Sequence, residues 1–232
     1  MKIALIGRGA MGRLVAKMAE IKGHEIVCSI GSGGGDPVDK LVSRLQGSDV
    51  AIDFTVADAV RRNVEACLAA GVPLVEGTTG WTKRLTEIET LVKAADGAMV
   101  RGANFSIGVN LFYRVVEYSA GLFGKIGGYE PFVEEQHHSR KRDAPSGTAL
   151  RLKDIVAGSF ADEFSVTATR AGNIPGTHRV GFDGPTDQIL LEHVARSREG
   201  FAAGAITASE WIVGKKGFYE FSEVLDEILN DV

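Results

Sequence analysis

The chain of 232 residues is poor in cysteine, with only Cys28 and Cys67. Two thiols without metal-ligand spacing exclude a disulfide framework, and buried, inert thiols in a reducing cytoplasm are expected. An excess of positive charge is also missing. Lys and Arg total 26 against 30 Asp and Glu, a formal net charge of −4. Neither nucleic acid nor an anionic membrane is therefore an expected partner. No apolar stretch approaches the length of a bilayer span. The opening Met-Lys-Ile-Ala-Leu-Ile-Gly is interrupted by glycine too early to read as a signal peptide. These absences leave a cytoplasmic globular protein of one or two domains, 44% hydrophobic.

Glycine is abundant, at 29 residues. The glycines form several clusters, as expected where backbone turns tightly or approaches a ligand. Through the first hundred residues, short apolar runs alternate with helical periodicity. Lys2–Ile6, Glu25–Ile30, Val50–Thr55, Val72–Glu76 and Ala98–Arg101 read as strands. Met11–Ile21 reads as a helix, and Val60, Val64, Cys67 and Leu68, then Leu85, Ile88 and Val92, fall on single helical faces. That alternation predicts a parallel sheet with right-handed crossovers.

After Phe105 the pattern changes. A helix is expected over Ser106–Phe123, an extended run over Tyr129–His138 and a second helix from Ser146. Phe164–Arg170, Arg179–Phe182 and Gln188–Ala195 then read as strands joined by turns, hence an antiparallel or mixed sheet in a second α+β domain. Phe201–Val213 and Ser222–Leu229 are helical again. The expected boundaries are residues 1–105 for the first domain, completed by 206–232, and 106–205 for the second.

Gly7-Arg8-Gly9-Ala10-Met11-Gly12 ends the first strand and opens the first helix. This GxGxxG context predicts a Rossmann-type doubly wound sheet that binds a dinucleotide, with helix-start amides at the phosphates. The acidic residue that would hold the ribose hydroxyls of NAD is absent. Gly31-Ser32-Gly33-Gly34-Gly35 stands there, with Asp36 beyond it. NADPH is therefore expected to be accepted at least as well as NADH, with Arg8 and Ser32 as candidates for its 2′-phosphate. Gly77-Thr78-Thr79-Gly80 and Gly102-Ala103-Asn104-Phe105 follow later strands. Both loops fall on the carboxyl rim where such sheets bind ligands.

The densest run is Glu134-Glu135-Gln136-His137-His138-Ser139-Arg140-Lys141-Arg142-Asp143-Ala144-Pro145-Ser146-Gly147-Thr148-Ala149. On a strand, His137 and His138 point to opposite faces, so one serves a substrate centre while the other packs or binds a peripheral group. Lys141 and the Ser146-Gly147-Thr148 amides can clamp carboxylates. Arg140 and Arg142 read as a solvated face partly neutralised by Glu134, Glu135 and Asp143. No metal is expected, since Arg and Lys neighbours oppose a bound cation. Asp53 reads as a cap for the following turn or a residue approaching the coenzyme, Trp81 and Trp211 as packing residues, and His178 as lacking a supporting constellation. Ser146 stands in no nucleophile-elbow context.

These motifs, in this order, resemble the dihydrodipicolinate reductase family. The resemblance also takes in Ile52-Asp53-Phe54-Thr55 and Arg170-Ala171-Gly172-Asn173-Ile174-Pro175-Gly176-Thr177-His178. It implies that His137 is the proton donor and Lys141 a second catalytic residue. It places His138, Gly147 and Thr148 at the substrate, and Gly7–Gly12, Gly77–Thr79 and Gly102–Phe105 at the coenzyme. A homotetramer through the second domain's sheet is implied as well. The chain is short for the family, between the second strand and Ile52 and within the second domain. The implied reaction is NAD(P)H-dependent reduction of a cyclic dicarboxylate imine. Another nicotinamide-dependent reductase of an acidic imine or amino acid is the first alternative. A non-catalytic nucleotide sensor is the second, although it has no use for His137 beside Lys141.

Overall fold

A computed structural model describes residues 1–31 and 36–230 of the chain. In chain order the strands are β1 (Lys2–Ile6), β2 (Glu25–Ile30), β3 (Val50–Asp53), β4 (Leu74–Glu76), β5 (Ala98–Arg101), β6 (Glu130–His137), β7 (Ser165–Arg170), β8 (Thr177–Asp183), β9 (Gln188–Val194) and β10 (Gly217–Glu220). The α-helices are α1 (Ala10–Ile21), α2 (Val38–Leu45), α3 (Val60–Ala70), α4 (Leu85–Ala94), α5 (Ile107–Ile126), α6 (Gly147–Ala157), α7 (Glu199–Ile212) and α8 (Phe221–Asn230). The fold divides into two units, Met1–Ile107 with Glu199–Val232, and Gly108–Arg198.

The first unit carries a six-stranded sheet in the order β10-β5-β4-β3-β1-β2, parallel throughout. Every residue of β3 and β4 is buried. Helices cover both faces of such a sheet, which is why these strands read as continuous apolar runs. Between β2 and β3 the strand order reverses about β1. This creates a switch point at the carboxyl ends of β1 and β3, where doubly wound sheets bind ligands. The chain therefore brings the glycine loop after β1 beside the Phe54-Thr55 turn after β3.

The second unit carries a mixed sheet in the order β7-β6-β8-β9. β6 and β7 are parallel across the α6 crossover, whereas β6, β8 and β9 are antiparallel. On one face, Phe112, Val116 and Ala120 of α5 and Leu152 and Val156 of α6 form a core with Val133, Val180 and Phe182.

Several element ends differ from the expected ones. β4 starts at Leu74 because Pro73 has no N–H for the ladder; the Pro73 carbonyl still accepts from the Ala51 amide, at 2.8 Å. α5 runs on to Ile126, where Gly127 and Gly128 both take positive φ. Helix α2 and strand β10 have no counterpart in the sequence reading. α2 buries only Leu41 and Leu45, and β10 is a four-residue edge strand, so neither shows a full period of the pattern. Residue 206, the expected domain boundary, lies inside the continuous helix α7.

Candidate active site

In the first unit the three motif glycines play different parts. Gly7 has φ +109°, and a Cβ there would collide with the Phe54 carbonyl. A Cβ at Gly12 would overlap the Gly7 carbonyl oxygen, so α1 crosses this turn with no room for a side chain. Around Gly9, by contrast, a Cβ would meet nothing within 4 Å. Gly9 also caps α1 without a side-chain hydrogen bond, and the first turn carries no acidic residue. A cradle open at Gly9 and free of carboxylates fits a dinucleotide pyrophosphate.

Arg8 donates to the Ser29 carbonyl at 2.5 Å, and Arg44 reaches the same oxygen at 2.9 Å. Asp36 pairs with Lys40 at 2.7 Å and with Arg44 at 3.8 Å. The end of β2 is thus ringed by cations, but Arg8 is bonded to β2 itself. Ser32 lies outside the described residues. Thr79 and Ala103 are exposed on their loops. The Phe105 ring is 2% exposed and packs 4.7 Å from the Phe221 ring, which leaves the backbone of its loop as the part that can meet the coenzyme. Gly102 and Gly204 both pack closely against Phe105.

Beneath this rim, Asp53 and Glu76 stand opposite each other on β3 and β4, both fully buried. Asp53 accepts from the Asn63 amide at 2.6 Å, and Glu76 from the Thr78 amide at 2.6 Å. Thr78 Oγ1 in turn accepts from the Thr55 amide at 3.0 Å. Asp53 also accepts from the Thr55 amide, so it caps the turn after β3, as expected, within a network that ties this turn to the loop after β4. Trp81 packs here and donates to the Thr78 carbonyl at 2.8 Å. Two buried carboxyls side by side on paired strands cannot both stay ionised, so one of them holds a proton. Burial first, and then the charge of Asp53, push Glu76 well above the usual carboxylate range. Burial together with these two carboxyls likewise raises the Cys67 thiol, which keeps it inert.

The raised Glu76 has a stability consequence. Below the ordinary glutamate range both folded and unfolded chains hold this proton. As pH rises, the unfolded chain loses it first, so the wild-type fold loses stability. Glu76→Gln can keep the bond from the Thr78 amide and offer its own amide to Asp53, without a proton to lose. Its melting temperature should exceed that of the wild type by more at pH 8 than at pH 5, by about 2–4 °C per kcal/mol relieved. An advantage that does not change with pH would mean that Glu76 is not the protonated partner.

In the second unit, His137 ends β6 and is 9% exposed. Strand alternation puts Val133, Glu135 and His137 on the buried face, and His138 is half-buried on the other. His137 Nδ1 is hydrogen-bonded to Glu135 Oε2. Its Nε2 faces Gly176, where a Cβ would approach to 3.0 Å. The ring sits 5.1 Å from that of His178, edge to face. His178 Nε2 lies 3.2 Å from Ser146 Oγ, which accepts from the Ala149 amide and so caps α6. Burial first, and then His137, lower His178 to about 4, so it is neutral at physiological pH.

Glu135 is 1% exposed. Arg170 grips it with a fork, Nη1 to Oε2 at 2.8 Å and Nη2 to Oε1 at 2.5 Å, and the Ser146 amide adds a bond at 3.0 Å. Burial pushes this carboxyl up, but Arg170, His137 and the Ser146 amide together hold it below the usual range. Glu135 is therefore not a surface counter-ion for Arg140 and Arg142. Arg140 bonds Asn173 at 3.0 Å, and Arg142 is exposed. Lys141 pairs with Asp143 at 2.8 Å. At the start of α6, Gly147 has nothing within 4 Å of where a Cβ would stand, and Thr148 is hydrogen-bonded to Tyr113. The helix start is open to a carboxylate, and its cap is already built.

Two family models cover the chain: "Dihydrodipicolinate reductase, N-terminus" matches residues 1–105, and "Dihydrodipicolinate reductase, C-terminus" matches residues 108–225. The chain belongs to the dihydrodipicolinate reductase family. A 4-hydroxy-tetrahydrodipicolinate reductase of Christiangramia forsetii is 33% identical over 243 residues and covers 100% of both chains. One of Archaeoglobus fulgidus is 37% identical over 266 residues, covering 97% of this chain and 100% of its own. Among solved structures, a dipicolinate-bound dihydrodipicolinate reductase from Paenisporosarcina sp. TG-14 shares the fold. Its TM-score is 0.79 at 20% identity, over 96% of this chain and 98% of its own.

Within this reductase, sequence reasoning missed Glu135, Arg170 and His178 as partners of the histidine centre. One signal was available. Counting back two residues from His137 places Glu135 on the same strand face. Nothing local foretells Arg170 or His178, because only the β6–β7 and β6–β8 pairings bring them in.

Proposed function

We propose that the chain reduces 4-hydroxy-tetrahydrodipicolinate to tetrahydrodipicolinate with NADPH or NADH. The observation that carries this is the arrangement at His137. One ring nitrogen is held by Glu135 and the other faces the Gly176 turn, in the same unit as the open N-terminus of α6. A bound nicotinamide supplies the hydride. The chain's own residues supply the rest. The loops after β1, β4 and β5 hold the dinucleotide, with Gly7, Gly9 and Gly12 shaping the cradle and Arg8 among the cations at the end of β2. Gly147 and Thr148 present helix-start amides to one substrate carboxylate, and Lys141 and His138 add polar contacts to the ring acid. The substrate ring first loses its 4-hydroxyl as water to give the conjugated imine; hydride then adds to the conjugated ring carbon, and His137 gives its Nε2 proton to the adjacent carbon. Lys141 serves as the second catalytic residue, exchanging Asp143 for the substrate carboxylate.

The reductase works as a homotetramer through the open face of the second sheet. The side chains of Leu190 and Val194 support this: on the face opposite the helices they are 48% and 53% exposed. Light scattering should give a mass of four chains, and a monomer would contradict it. The function is tested by coupling the protein to a dihydrodipicolinate synthase fed with pyruvate and aspartate semialdehyde. Oxidation of NADPH at least as fast as NADH is expected, because no acidic residue ends β2. Failure with both coenzymes would overturn the proposed function.

A further inference from the structure

Four donors converge on one carboxylate that the reaction itself does not require. Glu135 takes both arms of the Arg170 fork, the Ser146 amide and His137 Nδ1, and it is 1% exposed. The groups around the imidazole come from every neighbouring element: Glu135 on β6, Arg170 on β7, His178 on β8, and Lys141 paired with Asp143 on the following loop. His138 is next in the chain. The backbone is fixed as well, since the His137 carbonyl accepts from the Ala171 amide at 2.9 Å.

We propose that Glu135, clamped as a carboxylate by Arg170, is the positioning residue that sets the tautomer and orientation of His137. This inference rests on His137 being the proton donor. A carboxylate beside Nδ1 accepts only from Nδ1–H, so the neutral ring keeps its proton there and Nε2 is the site that loads and releases one. After donation the imidazole is already the tautomer that Glu135 holds, and the ring need not turn. Arg170 and the Ser146 amide occupy the other lone pairs of Glu135, so the carboxylate orients the ring without taking its proton. Its role parallels that of the buried acid in a hydrolase triad, which orients a histidine and stays ionised.

The inference makes the residues of the Arg170–His178 segment part of the site. Arg170 holds the carboxylate, and Gly176, at φ +152°, leaves room at Nε2 that a side chain would fill.

Two measurements decide it. In wild-type protein without ligands, nitrogen NMR above the imidazole titration should show the Nδ1–H tautomer at His137. An Nε2–H tautomer would overturn the proposal. In steady-state kinetics, Glu135→Gln should lower kcat about 10-fold or more with a smaller change in KM, and move the alkaline limb of the kcat/KM profile to lower pH. Should Glu135→Gln fail to fold with Arg170 left unpaired, Glu135→Gln/Arg170→Met removes both charges and should show the same loss of kcat. Adding Glu135→Gln to His137→Ala should lower kcat no further. An unshifted limb while His137→Ala is inactive sinks the positioning role alone. An active His137→Ala sinks the proton donor itself.

Discussion

His137→Ala should lower kcat by about 10²–10⁴-fold, the usual share of a general acid, and change KM far less. The variant should fold, because the remaining partners of Glu135 stay in place: the Arg170 fork and the Ser146 amide do not depend on the imidazole. The loss would then be one of proton transfer, measured beside an unchanged melting temperature. Lys141→Ala should behave differently. Lys141 sits on a loop and, among the described residues, pairs with exposed Asp143 alone. Removing it should raise KM as well as lower kcat, since substrate capture and turnover both draw on its charge. Equal kcat in wild type and His137→Ala would assign the acid elsewhere.

Gly12→Ala should damage stability and coenzyme use together. The added methyl would overlap the Gly7 carbonyl oxygen, which is backbone and cannot rotate away. Either α1 or the phosphate loop must shift, at about 1–3 kcal/mol for overpacking, or roughly 2–4 °C in melting temperature per kcal/mol. Coenzyme KM should rise in parallel, because the displaced loop is the cradle. Gly9→Ala is the control. Its methyl meets nothing within 4 Å of the protein, so the melting temperature should hold while coenzyme KM rises. Calorimetry and coenzyme titration of the two variants separate packing from ligand approach. A Gly12→Ala enzyme with wild-type melting temperature and coenzyme KM would refute the packing role.

Much of the first unit was legible because its signals are local. An apolar run, a glycine turn and a helical face each lie within a dozen residues, and parallel strands buried on both faces announce themselves by composition. The GxGxxG spacing also carried its own geometry. The burial of the Phe105 ring was not legible there, because only tertiary packing brings Phe221 and Gly204 against it. Likewise, only the β3–β4 register sets Asp53 against Glu76.

The sequence alone determined the alternating sheet, the dinucleotide loop and the histidine–lysine run, since each depends on neighbours along the chain. The tertiary structure decided what surrounds His137. Glu135 lies two residues away and was assigned to the surface, while Arg170 and His178 lie on strands that reach β6 only through sheet pairing. Charge counted along the chain made Glu135 one of three acids that partly neutralise Arg140 and Arg142 on a solvated face. Folding buries a carboxylate against the imidazole, because strand alternation sends Glu135 inward with His137 and the β7 arginine compensates its burial.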